Sequence, residues 1–216
     1  MEQSITERIE KERIFVIVRG VESEKLPLLA EALYRGGIRF LEVTFRPDGT
    51  VSDEDIAADI HRLSEQFRGR MVIGAGTVLT KKQVRMVKRA GGQFIVSPNT
   101  DVRVIRATKR AGLVSIPGAL TPSEIQTAHL AGADFVKLFP AGVFGANYIK
   151  MVKAPLPHVK LLAVGGITLD TVASYRGSGI AGFAVGGAIV DKKRIAENDW
   201  DGLAENAALY VKAAQS

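Results

Sequence analysis

The sequence predicts an α/β protein, a (β/α)8 TIM barrel with an extra N-terminal helix. Three observations carry the prediction. Short apolar runs alternate with amphipathic stretches from end to end, the runs number eight, and several of the amphipathic stretches finish in glycine. Strict alternation of strand and helix implies parallel strands joined by right-handed crossovers, and eight such units close on themselves. With 216 residues, 46% of them hydrophobic, the chain is expected to form one domain over residues 1–216.

Met1 to Arg13 is mostly charged, but Ile5 and Ile9 lie four apart, as on one face of a helix that caps the N-terminal end of the barrel. The eight runs follow: Ile14–Val18, Phe40–Thr44, Met71–Ile73, Phe94–Val96, Val114–Ile116, Phe135–Phe139, Leu161–Val164 and Gly182–Val185. Between them, helical patterns span Leu26–Tyr34, Ser52–Phe67, Lys81–Ala90, Val102–Ala111 and Pro122–Ala131. Thr80, Thr121 and Thr168 stand where an N-cap accepts from the first turn. Gly36-Gly37, Gly91-Gly92, Gly112 and Gly132 follow helices, where glycine supplies the left-handed C-terminal conformation. An open doubly wound sheet would want Gly-x-Gly-x-x-Gly after its first strand, and Val18-Arg19-Gly20-Val21 is not that turn.

Composition narrows the function. There is no cysteine, which excludes disulfides, thiol chemistry and cysteine-based zinc sites. The N-terminus lacks the apolar core of a signal peptide, and no run approaches the ~18 residues that span a bilayer; a cytoplasmic setting is expected. The net charge of +6 does not indicate nucleic acid. Lys81, Lys82, Arg85, Lys88 and Arg89 suit one solvated helix face and Arg103, Arg106, Lys109 and Arg110 the next, with no aromatics between them to stack bases. Such a field favours anionic metabolites. His61, His129 and His158 have no ligand spacing, so no metal is expected. Trp200 and Tyr210 read as helix packing.

Barrel active sites form at the C-terminal ends of the strands. In the sixth run, Lys137 interrupts a stretch otherwise fit for a buried strand. Lysine is rarely buried without a partner or a task, and burial lowers its pKa toward a neutral, nucleophilic amine. Period-two alternation puts Glu42, Thr44 and Arg46 on the inward face of the second strand, and Phe135, Lys137 and Phe139 on that of the sixth. An amine, a carboxylate and a guanidinium then converge, either for catalysis or as buried ion pairs that fix the fold. The third run leads into Gly74-Ala75-Gly76-Thr77, whose two glycines let the backbone approach a small ligand and whose threonine offers a hydroxyl, the alternative being an ordinary tight βα turn. Ser97-Pro98-Asn99 and Pro117-Gly118 could wall a small pocket. Val164-Gly165-Gly166 and Gly186-Gly187 end the seventh and eighth strands, a frequent phosphate site in such barrels.

These segments together resemble one family. Leu41-Glu42-Val43-Thr44-Phe45-Arg46, Gly74-Ala75-Gly76-Thr77-Val78-Leu79, Val96-Ser97-Pro98, Ile116-Pro117-Gly118, Val136-Lys137-Leu138-Phe139-Pro140 and Gly165-Gly166 look like the class I 2-keto-3-deoxy-6-phosphogluconate (KDPG) aldolases, which also cleave 4-hydroxy-2-oxoglutarate (KHG). The resemblance implies a metal-independent, cofactor-free homotrimer acting on a small keto acid. It implies a Schiff base on Lys137, Glu42 as general acid/base, and Arg46 and Thr77 on the pyruvate carboxylate. Pro98 and Phe139 would shape the pocket, and Gly165, Gly166, Gly186 and Gly187 would lie near a phosphate.

Two positions depart from the pattern. Val164 stands where phosphogluconate aldolases carry threonine and resembles the sister enzymes for the galactonate epimer, although Arg46 resembles the gluconate type. Gly187 replaces a phosphate-binding serine. The competing readings are an imine-free phosphosugar isomerase or synthase using Glu42 as base, and a non-catalytic sugar-phosphate binder.

Overall fold

The computed structural model describes residues 3–216; Met1 and Glu2 of the expected N-terminal helix fall outside the described residues. That helix is α1 (Ile5–Glu12), begun by Ser4 in a capping box with Glu7. The barrel units follow as β1 (Ile14–Val18), α2 (Leu26–Arg35), β2 (Phe40–Thr44), α3 (Asp53–Gln66), β3 (Val72–Gly76), α4 (Lys81–Arg89), β4 (Phe94–Val96) and α5 (Val102–Arg110). The second half comprises β5 (Val114–Ile116), β6 (Gly118–Ala119), α6 (Pro122–Leu130), β7 (Val136–Leu138), α7 (Ala141–Lys153), β8 (Leu161–Val164), α8 (Leu169–Ser174), β9 (Gly182–Val185), α9 (Lys192–Ala196) and α10 (Trp200–Gln215).

All nine strands of the described residues are parallel, in the order β5-β4-β3-β2-β1-β9-β8-β7-β6. The two outermost are halves of one chain segment, divided at Pro117, which has no N–H to give a neighbour. Its carbonyl still accepts from Lys137 N at 2.8 Å, between the bonds Asp134 N to Ser115 O (3.0 Å) and Phe139 N to Ala119 O (3.1 Å). The segment 114–119 is therefore the fifth barrel strand. It pairs with β4 through its first half and β7 through its second, and the sheet closes as an eight-membered (β/α)8 barrel.

The expected caps are present. Thr80, Thr121 and Thr168 each accept from the backbone of the first turn of α4, α6 and α8. Gly37, Gly91, Gly112 and Gly132 all have positive φ. The basic residues of α4 and α5 face solvent, and no helix of the described residues is long and apolar enough to cross a membrane. Tyr210 is buried and Trp200 packs against the helix-layer core.

Alternation along each strand divides the core in two. Outward-facing Val16, Leu41, Val43, Ile73, Leu138 and Ala163 join the helices in one cluster. Inward-facing Phe15, Phe40, Val72, Phe94, Val114, Phe135 and Leu162 form another. Here the rings of Phe15 and Phe40 lie 5.0 Å apart and those of Phe15 and Phe94 5.4 Å apart, edge to face, a geometry that adds to simple burial. Ile9 of α1 is fully buried in this inner cluster, and Arg8 lies over the Phe40 ring at 5.8 Å. The N-terminal mouth is thus sealed by α1, leaving the opposite mouth open.

One boundary is corrected. The third strand does not stop at Ile73: Gly74-Ala75-Gly76 are the last three residues of β3, paired to Glu42, Val43 and Thr44, which also removes the alternative of a tight turn there. The period-two pattern is silent there because both inward positions are glycines.

Candidate active site

A cavity of about 1090 Å³ occupies the C-terminal mouth. Lys137, Glu42, Arg46, Thr77, Pro98, Phe139, Val164, Gly165, Gly166, Gly186 and Gly187 all border it. Pro117 and Gly118 do not; they divide the fifth strand instead, and a side chain at Gly118 would collide with the Pro98 carbonyl. Thr44 is turned to structural use, its hydroxyl donating to Val18 O at 3.0 Å.

Lys137 lies in the middle of β7 and is 8% exposed. Its Nζ sits 4.9 Å from the centroid of the Phe139 ring, two residues on along the same face. Burial pulls its pKa down; the attraction of Glu42 opposes that shift and the charge of Arg19 adds to it. Glu42 is 2% exposed. Burial pushes its pKa up, against the pull of Lys137 and Arg19. β2 and β7 are the second and sixth of eight barrel strands, so the two groups face each other across the axis. Among the described residues no ion pair joins them, and Glu42 Oε2 has no hydrogen-bond partner. That oxygen is open to a donor from substrate or water.

The conformation of Glu42 depends on Gly76. A β-carbon at that position would overlap Glu42 Oε1, so the missing side chain is the space in which the carboxylate lies. Gly74 does the same two residues below, where a β-carbon would come within 2.5 Å of the Phe94 ring. Past Gly76, Thr77 has φ 55°. For a β-branched residue this left-handed conformation is strained, a state that recurs at functional sites. Its hydroxyl accepts from Arg19 Nη2 at 2.9 Å. Arg46 Nη2 donates to Asp48 Oδ2 at 3.1 Å.

Arg19 is a cavity residue that sequence reasoning missed. Parity, applied to β1 as it was to β2 and β7, would have found it, since Phe15, Ile17 and Arg19 alternate along the inward face. Asp48, Asp191 and Lys192 also border the cavity from loops and a helix start, where no periodicity flags them. His129 and His158, without ligand spacing in sequence, meet in space with ring centroids 4.7 Å apart. Among the described residues no group of three potential metal ligands forms.

The family model "KDPG and KHG aldolase" matches residues 5–205. The chain belongs to that family. It is accordingly a carbon–carbon lyase, and the barrel mouth just described is its candidate active site. Among its relatives, a 2-dehydro-3-deoxy-6-phosphogalactonate aldolase of Escherichia coli is 32% identical, over 93% of each chain. A 2-dehydro-3-deoxy-phosphogluconate aldolase of Treponema pallidum is 37% identical over 80% of this chain and 79% of its own. Among solved structures, a KDPG aldolase of Legionella pneumophila, with pyruvate captured at low pH as a covalent carbinolamine, matches with a TM-score of 0.85 at 27% identity, over 96% of this chain and 98% of that one.

Proposed function

We propose that this family member is a class I aldolase that forms a Schiff base through Lys137. The reading rests on one observation above all: a buried lysine and a buried carboxylate face each other across an open cavity, the pKa of the lysine lowered and that of the carboxylate raised by burial. The unprotonated amine of Lys137 attacks the C2 carbonyl of a 2-keto acid, and loss of water from the carbinolamine leaves a protonated imine. Glu42 takes the proton of the C4 hydroxyl, the C3–C4 bond breaks, and its electron pair passes through C2 to the imine nitrogen as an enamine. An aldehyde departs. Reprotonation at C3 and hydrolysis release pyruvate and free Lys137.

Arg46 and Thr77 hold the carboxylate, Pro98 and Phe139 shape the pocket, and Gly165, Gly166, Gly186 and Gly187 leave room for a phosphate at the far end. The substrates are KDPG, giving pyruvate and glyceraldehyde 3-phosphate, and KHG, giving pyruvate and glyoxylate. A second reading, the galactonate epimer, is favoured by Val164 at the cavity wall, which offers no hydroxyl to the substrate; relatives named for either epimer have similar identity. Neither a metal nor an organic cofactor enters this scheme, and residues 1–216 act as one catalytic domain in the cytoplasm. The apolar side chains Val143, Phe144 and Met151 stand exposed on α7, which supports association with further copies of the chain as a homotrimer; light scattering in solution tests that.

The decisive test is borohydride reduction in the presence of pyruvate, followed by peptide mass. The expected result is a pyruvyl adduct on Lys137 that is absent from Lys137→Ala. A folded protein without adduct would move the weight to an imine-free barrel enzyme. Comparing kcat/KM for the two epimers in the parent and in Val164→Thr then assigns the substrate; an unchanged ratio removes position 164 as the selector.

A further inference from the structure

Arg46 borders two cavities. One is the catalytic mouth; the other, of about 310 Å³, lies between the end of β1 and helix α3. The side cavity is lined by three carboxylates, Glu22, Asp55 and Asp59; Asp59 already pairs with Arg62 at 2.8 Å and Glu22 with Lys25 at 3.8 Å, which leaves Asp55, among the described residues, as the lining carboxylate without a cation. On one side of Arg46 stands Gly20 (φ 66°), so close that a β-carbon there would lie 3.3 Å from Arg46 Nη1. On the other side stands Asp48. Its Oδ2 accepts from Arg46 Nη2 at 3.1 Å, while its Oδ1 accepts from Thr50 N at 3.1 Å and Thr50 Oγ1 at 2.7 Å. The turn that brings Asp48 back is closed by Gly49 N donating to Arg46 O at 3.0 Å.

We infer that Asp48 is a positioning residue: anchored by Thr50, it keeps the Arg46 guanidinium in the catalytic mouth and out of the acidic side cavity, and so sets affinity for the keto-acid carboxylate. The inference rests on the proposed function, in which Arg46 meets that carboxylate. Two charges two residues apart in one turn could be an ordinary surface pair of little energetic worth. What distinguishes this one is the fixed geometry of the acceptor, held by Thr50, beside a side cavity where Asp55 offers the guanidinium an alternative. The same Thr50 and Arg46 contacts hold the Asp48 carboxyl at about 2, so the anion persists across any working pH.

The test measures the pyruvate concentration that half-saturates borohydride trapping on Lys137, in the parent, Asp48→Ala, Arg46→Ala and the double variant. Loss of one charge-assisted positioning bond should raise that concentration about tenfold in Asp48→Ala, with the trapping rate at saturating pyruvate unchanged within about twofold. On the Arg46→Ala background the same substitution should have no further effect, since coupled residues are not additive. Thr50→Val, which loosens Asp48 but keeps its charge, should give a smaller rise and serves in its place if Asp48→Ala fails to fold. An unchanged half-saturation in Asp48→Ala and Thr50→Val, or an equal penalty with and without Arg46, overturns the inference while leaving the aldolase reading intact. No adduct even in the parent overturns that reading, and the inference with it.

Discussion

The two ends of the barrel interior are built by opposite rules. The N-terminal end is dry and complete: Phe15, Phe40, Phe94 and Phe135 fill it, and Ile9 closes it from below. The C-terminal end has a lysine and a glutamate without a direct ion pair, a carboxylate oxygen with no partner, and a threonine in a left-handed conformation. The same strands supply both. One end therefore carries stability and the other spends part of it on reactivity, a division expected where active sites hold groups in unfavourable states.

Substitutions at equivalent depths should separate the two regions. The largest effect is expected from Lys137→Ala, which should lower cleavage by about 10⁴-fold or more while leaving the protein folded. Phe94→Ala at the other end should lose about 3–5 kcal/mol of stability, with kcat of the folded fraction close to parental. Denaturant melts beside steady-state kinetics would show it, and a comparable loss of kcat in both variants would erase the distinction.

Glu42→Gln comes next. Its cleavage rate should fall about 10²–10⁴-fold, the usual contribution of a positioned acid/base, yet the variant should be more stable at neutral pH. The folded-state pKa of Glu42 is raised by burial, so its ionised form destabilises the fold. That cost is absent below the ordinary carboxylate range, grows as pH rises through it, and is complete above the raised folded value. The Tm advantage of Glu42→Gln should follow the same course, at about 2–4 °C per kcal/mol for a chain of this size. Lys137 titrates the other way: its depressed pKa places the rising limb of the rate profile below the ordinary lysine range, and that limb should be absent from any residual activity of Lys137→Ala.

Paired glycine variants sharpen the contrast further. Gly76→Ala drives a methyl into the space of the Glu42 carboxylate and should cost about 10²-fold in kcat through misplacement of the base. Gly74→Ala, on the same strand, presses on the Phe94 ring and should cost about 1–3 kcal/mol of stability, without altering the pH profile. The smallest effect is expected at Thr77. Thr77→Gly relieves the positive φ and should stabilise the fold by about 1 kcal/mol, while raising KM because the hydroxyl bonded to Arg19 is lost.

Most of the barrel was legible because strand and helix alternate and their capping chemistry is local. The inward placement of Glu42 and Lys137 followed from parity alone. Three features resisted. The split of the fifth strand at Pro117 depends on a missing N–H whose neighbours are known only after closure. The glycines of β3 fall outside the apolar run that ends at Ile73, because a void records nothing about the side chain that fills it. Asp48 and the His129–His158 contact arise from loop paths, which carry no period. Arg19, by contrast, is legible from the parity of β1, on the inward face with Phe15 and Ile17.

The β3 strand also limits how this scaffold can be altered. The space at its two inward glycines is occupied by the side chains of other strands, Phe94 below and Glu42 above. Enlarging either glycine damages the plug or the base before it reshapes the cavity. A pocket for a longer or bulkier substrate must therefore be reached through Val164, Ala184 and the loops beyond them, which border the cavity from the opposite side. Half of the barrel mouth is open to redesign, and the half around β3 is closed to it.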